Sequence, residues 1–196
     1  MKKGLLTLLI IGVVILIAFF WFKGKYNSMV TGDEAVQTAW SQVENVYQRR
    51  ADLIPNLVAT VKGYAAHEEN TLKSVIEARS KATQVTINAD NLTDEALAKF
   101  QEVQGGLTQA LGKLMVLRES YPDLKANENF IQLQSQLEGT ENRITVERQK
   151  FNDVAKSYNT LIRKFPNNIV AGMFGFEKKP YFKADENAQT APKVEF

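Results

Sequence analysis

The fold turns on residues 36–64, VQTAWSQVENVYQRRADLIPNLVATVKGY. Apolar side chains fall at Val36, Trp40, Val43 and Tyr47, then at Ile54, Leu57, Val61 and Tyr64, in steps that alternate between four and three. That period lines them along one face of an α-helix and suits helices packed at a shallow crossing angle. Arg50 stands where the series asks for another apolar residue. Pro55 has no N–H to donate and its ring crowds the preceding turn, so a kink or break is expected over residues 52–55.

Toward the C-terminus, helical signals resume through Leu72, Val75, Ile76 and Ala82. A turn-rich stretch, TINADNL at 86–92, separates them from the next helix. Thr93 is placed to cap that helix, with Asp94 and Glu95 near its positive end. Its stripe reads Leu97, Phe100, Gln104, Leu107, Leu111, Leu114, Arg118 and Tyr121, and the Gly105-Gly106 pair inside it marks either close helix contact or local flexibility. Pro122 ends it. Asn127 then caps a last long helix with the stripe Phe130, Leu133, Leu137, Ile144, Phe151, Val154, Tyr158, Leu161 and Phe165, which Pro166 stops after roughly 58 Å. The short connectors at 86–92 and 122–126 make the helices they join antiparallel neighbours.

No segment alternates with period two, so the expected class is all-α: an N-terminal transmembrane helix followed by a long-helical, up-and-down, coiled-coil-like bundle. A single helix over residues 30–86 would reach about 85 Å, against about 45 Å for its antiparallel neighbour. Either the chain folds back near Pro55 or Gly63 to make a fourth helix, or another subunit covers the surplus. The second option predicts a homo-oligomer with Val36, Trp40, Val43 and Tyr47 in its contacts. The tail aromatics Phe174, Phe176, Tyr181 and Phe182 are further contact candidates, expected to dock on the bundle or on a neighbour, with the last ten or so residues mobile.

Toward the N-terminus, residues 4–22 read GLLTLLIIGVVILIAFFWF, nineteen residues without a charge. They span about 28 Å, close to the hydrocarbon thickness of a bilayer. Leu5, Leu8, Ile11, Val14, Ile17, Phe20 and Trp21 are expected to face lipid, with Trp21 beside Lys23 and Lys25 as an interfacial anchor. The segment is long for a signal-peptide core, and no small-x-small cleavage site follows it. Lys2, Lys3 and the amino terminus outweigh Lys23 and Lys25 by one charge, which places residues 26–196 outside the cytoplasm of a bacterial inner membrane. The expected divisions are a flank at 1–3, the membrane helix at 4–22, a linker at 23–31, the bundle at 32–165, and an aromatic then polar tail at 166–196.

Across the 196 residues, 24 basic and 22 acidic side chains leave a net charge of +2, which argues against a nucleic-acid partner. Cysteine is absent and histidine occurs once, so disulfides, thiolate metal sites and a histidine metal cluster are excluded within one chain. His67-Glu68 beside Tyr64 is the most site-like cluster, but no xxH follows, and a polar helix junction is the simpler reading. Asp52, Arg79 and Arg148 are candidates for interhelical ion pairs, within a wider set of Arg49, Arg50 and Arg143 with Glu138, Glu141 and Glu147. The alternative for these arginines is a phosphate or headgroup site. With no P-loop, no GxGxxG and no spaced Ser-His-Asp set, no catalytic residue, cofactor or small-molecule substrate is expected.

Several blocks of this chain, in order, resemble the LemA family of bacterial membrane proteins: QRRADLIPNLVATVKGYAAHEENTLKSVIEARSKA at 48–82, YPDLKANENFIQLQSQLEGTENRITVERQKFNDVAKSYN at 121–159, and Phe165-Pro166. The resemblance runs from the anchor to about Phe182. It implies a transmembrane helix, an up-and-down bundle of four helices and no established enzymatic activity. It also implies a short N-terminus outside the cell, opposite to the charge count, so orientation stays open. The expected function is a membrane-anchored, non-enzymatic scaffold that self-assembles through its long helices; the alternative is an envelope adaptor that binds a membrane partner, such as a protease or stress component.

Overall fold

A computed structural model describes residues 2–65 and 67–183. Its elements are α1 (Lys2–Tyr64), α2 (Glu69–Gln84), α3 (Asp94–Leu117), a short α4 (Pro122–Lys125), α5 (Glu128–Arg163) and α6 (Asn167–Phe174), with no strand among the described residues. α1, α2, α3 and α5 form an up-and-down four-helix bundle; the expectation of a mobile last ten residues lies outside the described residues.

α1 is one uninterrupted helix of 63 residues, which corrects two expectations. The stretch 23–31 is not a loop-like linker: it is helical, and its Met29 is buried in the bundle core. Nor does Pro55 break the helix. Proline at 55 leaves the carbonyl of Ala51, four residues earlier, without its helical donor. Arg79, reaching across from α2, supplies one: its Nε donates to the Ala51 oxygen at 2.7 Å. The chain turns back after Tyr64, beside Gly63, the second of the two expected fold-back points, so α2 becomes the fourth helix.

Both expected caps form. The Thr93 hydroxyl accepts from the Ala96 N–H and the Asn127 side-chain oxygen from the Phe130 N–H, each satisfying a donor that a helix start leaves unpaired. The glycine pair gives no close contact: a Cβ added at Gly105 or Gly106 would meet open space. Gly32 is the glycine that matters for packing, because a Cβ there would stand 3.1 Å from Cδ2 of Tyr158, where α1 and α5 approach closely.

The stripes pack into two apolar clusters. The one nearer the apolar N-terminal stretch gathers Val36, Trp40, Val43 and Tyr47 of α1 with Phe100, Phe151, Tyr158 and Phe182. The distal one gathers Ile54, Leu57 and Val61 with Leu72, Val75, Leu107, Leu114, Phe130 and Leu137. Trp40 is fully buried, crossed edge-on by Phe100 and Phe151, stacked on Phe182 at 6.1 Å, and donates its indole N–H to the carbonyl of Ile87. The surplus length of α1 is therefore covered by the 86–92 connector and the tail, within one chain.

Candidate functional site

Between the two clusters lies a polar layer centred on Arg50, the break in the first stripe. Arg50 as a whole is 1% exposed. Its guanidinium donates to the Glu141 carboxylate at 2.6 Å and the Thr108 hydroxyl at 2.9 Å through one terminal nitrogen, and to the side-chain oxygen of Gln104 at 2.5 Å through the other. Its face lies over the Tyr47 ring, 5.1 Å from the centroid. Gln104, the break in the α3 stripe, passes the chain of bonds on by donating to the carbonyl of Ala82 at the end of α2. All four bundle helices thus meet at one level. A charge buried this deeply is tolerable only when such partners replace its water.

Three sides of the bundle are closed: α1 against α5, α1 against α2, and α2 against α3. On the fourth side α3 and α5 stand farther apart, with no Cα pair of theirs within 8 Å, and Leu107, Leu111 and Leu114 of α3 share a buried cluster with Phe130 and Leu137 of α5. Between them lies a groove of about 500 Å³ lined by Thr108, Leu111, Gly112 and Met115 of α3 and by Gln134, Leu137, Glu138, Glu141 and Asn142 of α5. The Arg50 layer bounds one end. At the other, Arg118 just beyond α3 donates to Gln134. From 134 to 141 along α5 is about 10 Å, two turns of helix. The floor is apolar and the rim acidic, with Glu138 held by Gln134 at 2.8 Å.

The tail docks on the bundle as expected, by a device that composition did not reveal. Asn159 donates to the carbonyl of Lys179 and accepts from its N–H, both at 2.8 Å. Seven residues earlier, Asn152 does the same for Phe182 at 3.0 and 2.8 Å. Each carboxamide offers one acceptor and donors side by side, as a peptide group does, and so serves as a partner strand of one residue. Lys179 also pairs with Asp33 of α1 at 2.8 Å. Burial, followed by the Asp33 carboxylate, pushes the Tyr158 phenol well above its ordinary range.

The expected contact surface is corrected by these positions. Val36, Trp40, Val43, Tyr47 and Phe182 are buried by the chain's own helices and tail, and Phe176 and Tyr181 pack against the same cluster; of these candidates Phe174 alone is exposed. The ion-pair candidates are corrected too. Asp52 accepts from Gln48 on its own helix, Arg79 bonds a backbone carbonyl, and Arg148 donates to the carbonyl of Lys183 and covers the Phe182 ring. Among the described residues, long-range charge pairing falls to Arg50 with Glu141, both in the wider expected set, and to Lys179 with Asp33. Around the His67 turn, Tyr121 donates to Glu68 and Asn127 to the Tyr64 hydroxyl, bonds that join the turn to the α3–α5 connection. His67 itself is exposed. Leu5, Leu8, Ile11, Val14, Ile17, Phe20 and Trp21 are all exposed on a helix long and apolar enough to cross a bilayer.

The architecture is that of a helical bundle carried on an apolar helix of membrane length. The chain belongs to the LemA family, whose model matches residues 39–196. It is similar to magnetosome protein MamQ 2 of Paramagnetospirillum magneticum, 28% identical over 197 residues that cover 90% of this chain and 72% of that one. Magnetosome protein MamQ of Magnetospirillum gryphiswaldense is 29% identical over 204 residues, covering 93% and 74%. Protein LemA of Metamycoplasma hominis is 25% identical over 170 residues, covering 87% and 74%. These relatives and the apolar helix agree with a membrane-associated protein.

Proposed function

We propose that the protein is a non-enzymatic membrane adaptor that receives a partner segment in the groove between α3 and α5. The groove on the wider fourth side of the bundle carries this reading. Two turns of a helix with an apolar face fit its length, and a basic residue on that segment would meet Glu138 on the rim. Both terminal nitrogens of Arg50 are bonded within a layer that joins the four helices and fixes their register, although its buried Nε has no partner; a register device supports a binding role over a catalytic one, as do relatives whose names denote no reaction. Self-assembly through the α1 stripe loses its ground, because that stripe is enclosed by its own chain.

A photo-crosslinking residue at Met115, with one at Lys73 on the exposed face of α2 as control, tests this in membranes. Adducts to a second protein from Met115 alone support the adaptor. Adducts to another copy of this chain would restore self-assembly, and equal labelling from both positions would remove the groove from consideration.

We further propose a single crossing of a bacterial inner membrane with the bundle on the cytoplasmic side. Folding brings Arg163, Lys164 and Lys178 to the same end of the bundle as Lys23 and Lys25. That reverses the one-charge excess of the N-terminal flank and suits an anionic leaflet. Labelling of Ser28→Cys in intact cells with a membrane-impermeant maleimide would contradict this orientation; protection that is lost on permeabilisation supports it.

A further inference from the structure

We infer that α6 is an interfacial helix, with an apolar face that enters the lipid surface beside the point where α1 emerges. The helix has two unlike sides. Val170 and Ala171 are buried in the bundle, whereas Phe165 just before it is 81% exposed, Ile169 53%, Met173 66% and Phe174 52%. Within α6, Ile169 and Met173 stand four residues apart and share one face, and exposed Phe165 lies in the turn just before that helix.

The height of this stripe identifies its occupant. The Phe174 ring lies 6.0 Å from Phe22 and 4.9 Å from Tyr26, and Phe176 is 5.6 Å from Tyr26. Phe22 is the last residue of the uncharged segment, so the C-terminal end of α6 sits at the depth where α1 leaves the hydrocarbon. Phe19, Phe20 and Trp21, which precede Phe22 on α1, are all exposed at the adjoining level. The charges around it have one predominant sign. Lys23, Arg163, Lys164 and Lys178 are exposed, and Glu177 is the only acid within residues 163–183. An apolar stripe with a basic surround is what anionic headgroups over acyl chains attract. Gly175, at φ 73°, then ends α6 and turns the chain back onto the bundle.

The test uses the full chain in liposomes of zwitterionic lipid with and without anionic lipid. The native sequence has no cysteine, so an environment-sensitive fluorophore can be placed at Ile169→Cys or Met173→Cys, both exposed, with Gln136→Cys on the outer side of α5 as control. The expected result is blue-shifted emission at 169 and 173, quenched by lipids spin-labelled near the headgroup, with water-like and unquenched emission at 136. Water-like emission at 169 and 173 would overturn the inference. So would blue-shifted emission that the lipids do not quench, since a protein or a second copy would then be the cover.

Discussion

At the scale of single residues, two long-range polar contacts decide how the chain tolerates its own irregularities. The Ala51 carbonyl that Pro55 strands is answered by Arg79, so replacing Arg79 by Met should cost about 1–3 kcal/mol, the range for a lost bond to a charged group. In a Pro55→Ala background the new alanine has an N–H that can take that carbonyl, and the cost of Arg79→Met should shrink. Denaturant unfolding of the four variants gives the coupling; equal costs in both backgrounds would remove Arg79 from this role. The Arg50 layer makes a second prediction. Gln104→Leu leaves part of a buried guanidinium unpaired and should cost about 3 kcal/mol, whereas Arg50→Met with Gln104→Leu should be more stable than Gln104→Leu alone. A double variant less stable than that single one would contradict the layer's role as a register device.

At the scale of the elements, the seam between α1 and α5 is set by Gly32. Gly32→Ala should lower the melting temperature, because buried Tyr158 would have to yield to the new methyl group. Gly105→Ala and Gly106→Ala, facing open space on α3, should each stabilise by about 0.5–1 kcal/mol. Tyr158 also gives the seam a pH dependence. Its pKa is raised in the fold, so its contribution is complete below the ordinary phenol value of about 10 and is lost as the pH rises beyond it. Stability measured from about pH 9 to 12 should therefore fall more steeply in the native chain than in Tyr158→Phe; parallel curves would exclude this linkage.

The elements also show what pattern can and cannot reveal. The all-α class, the caps at Thr93 and Asn127 and the stripes of α3 and α5 were readable because they depend on spacing and local hydrogen bonding. Of the kink or break expected at Pro55, the break does not occur, because its remedy lies on another helix, 28 residues along the chain from the carbonyl it serves. Arg50 and Gln104 could be recognised as gaps in two separate stripes, but only tertiary register shows that the gaps coincide. The apolar face around Trp40 predicted a companion correctly in kind; its cover proved to be Phe182 and the 86–92 connector, with Phe182 brought there by Asn152 and Asn159, whose sequence context is ordinary.

At the scale of the whole molecule, the membrane helix and the first bundle helix are the same rod. The helix is continuous between them, so under the proposed crossing the groove between α3 and α5 is held at a fixed height above the bilayer, and the docked tail and α6, which contact α1 near Tyr26, would brace the point of emergence. The adaptor reading depends on this rigidity, because a bundle swinging on a linker would present its groove to no particular level. Spin labels at Lys23→Cys and Ala59→Cys, both exposed, bracket the former linker region and Pro55 together. In the full chain in liposomes, pulsed dipolar spectroscopy should give one narrow distance distribution at about 54 Å, the span of an unbroken helix. A broad distribution, or one centred well below that span, would contradict the continuous rod.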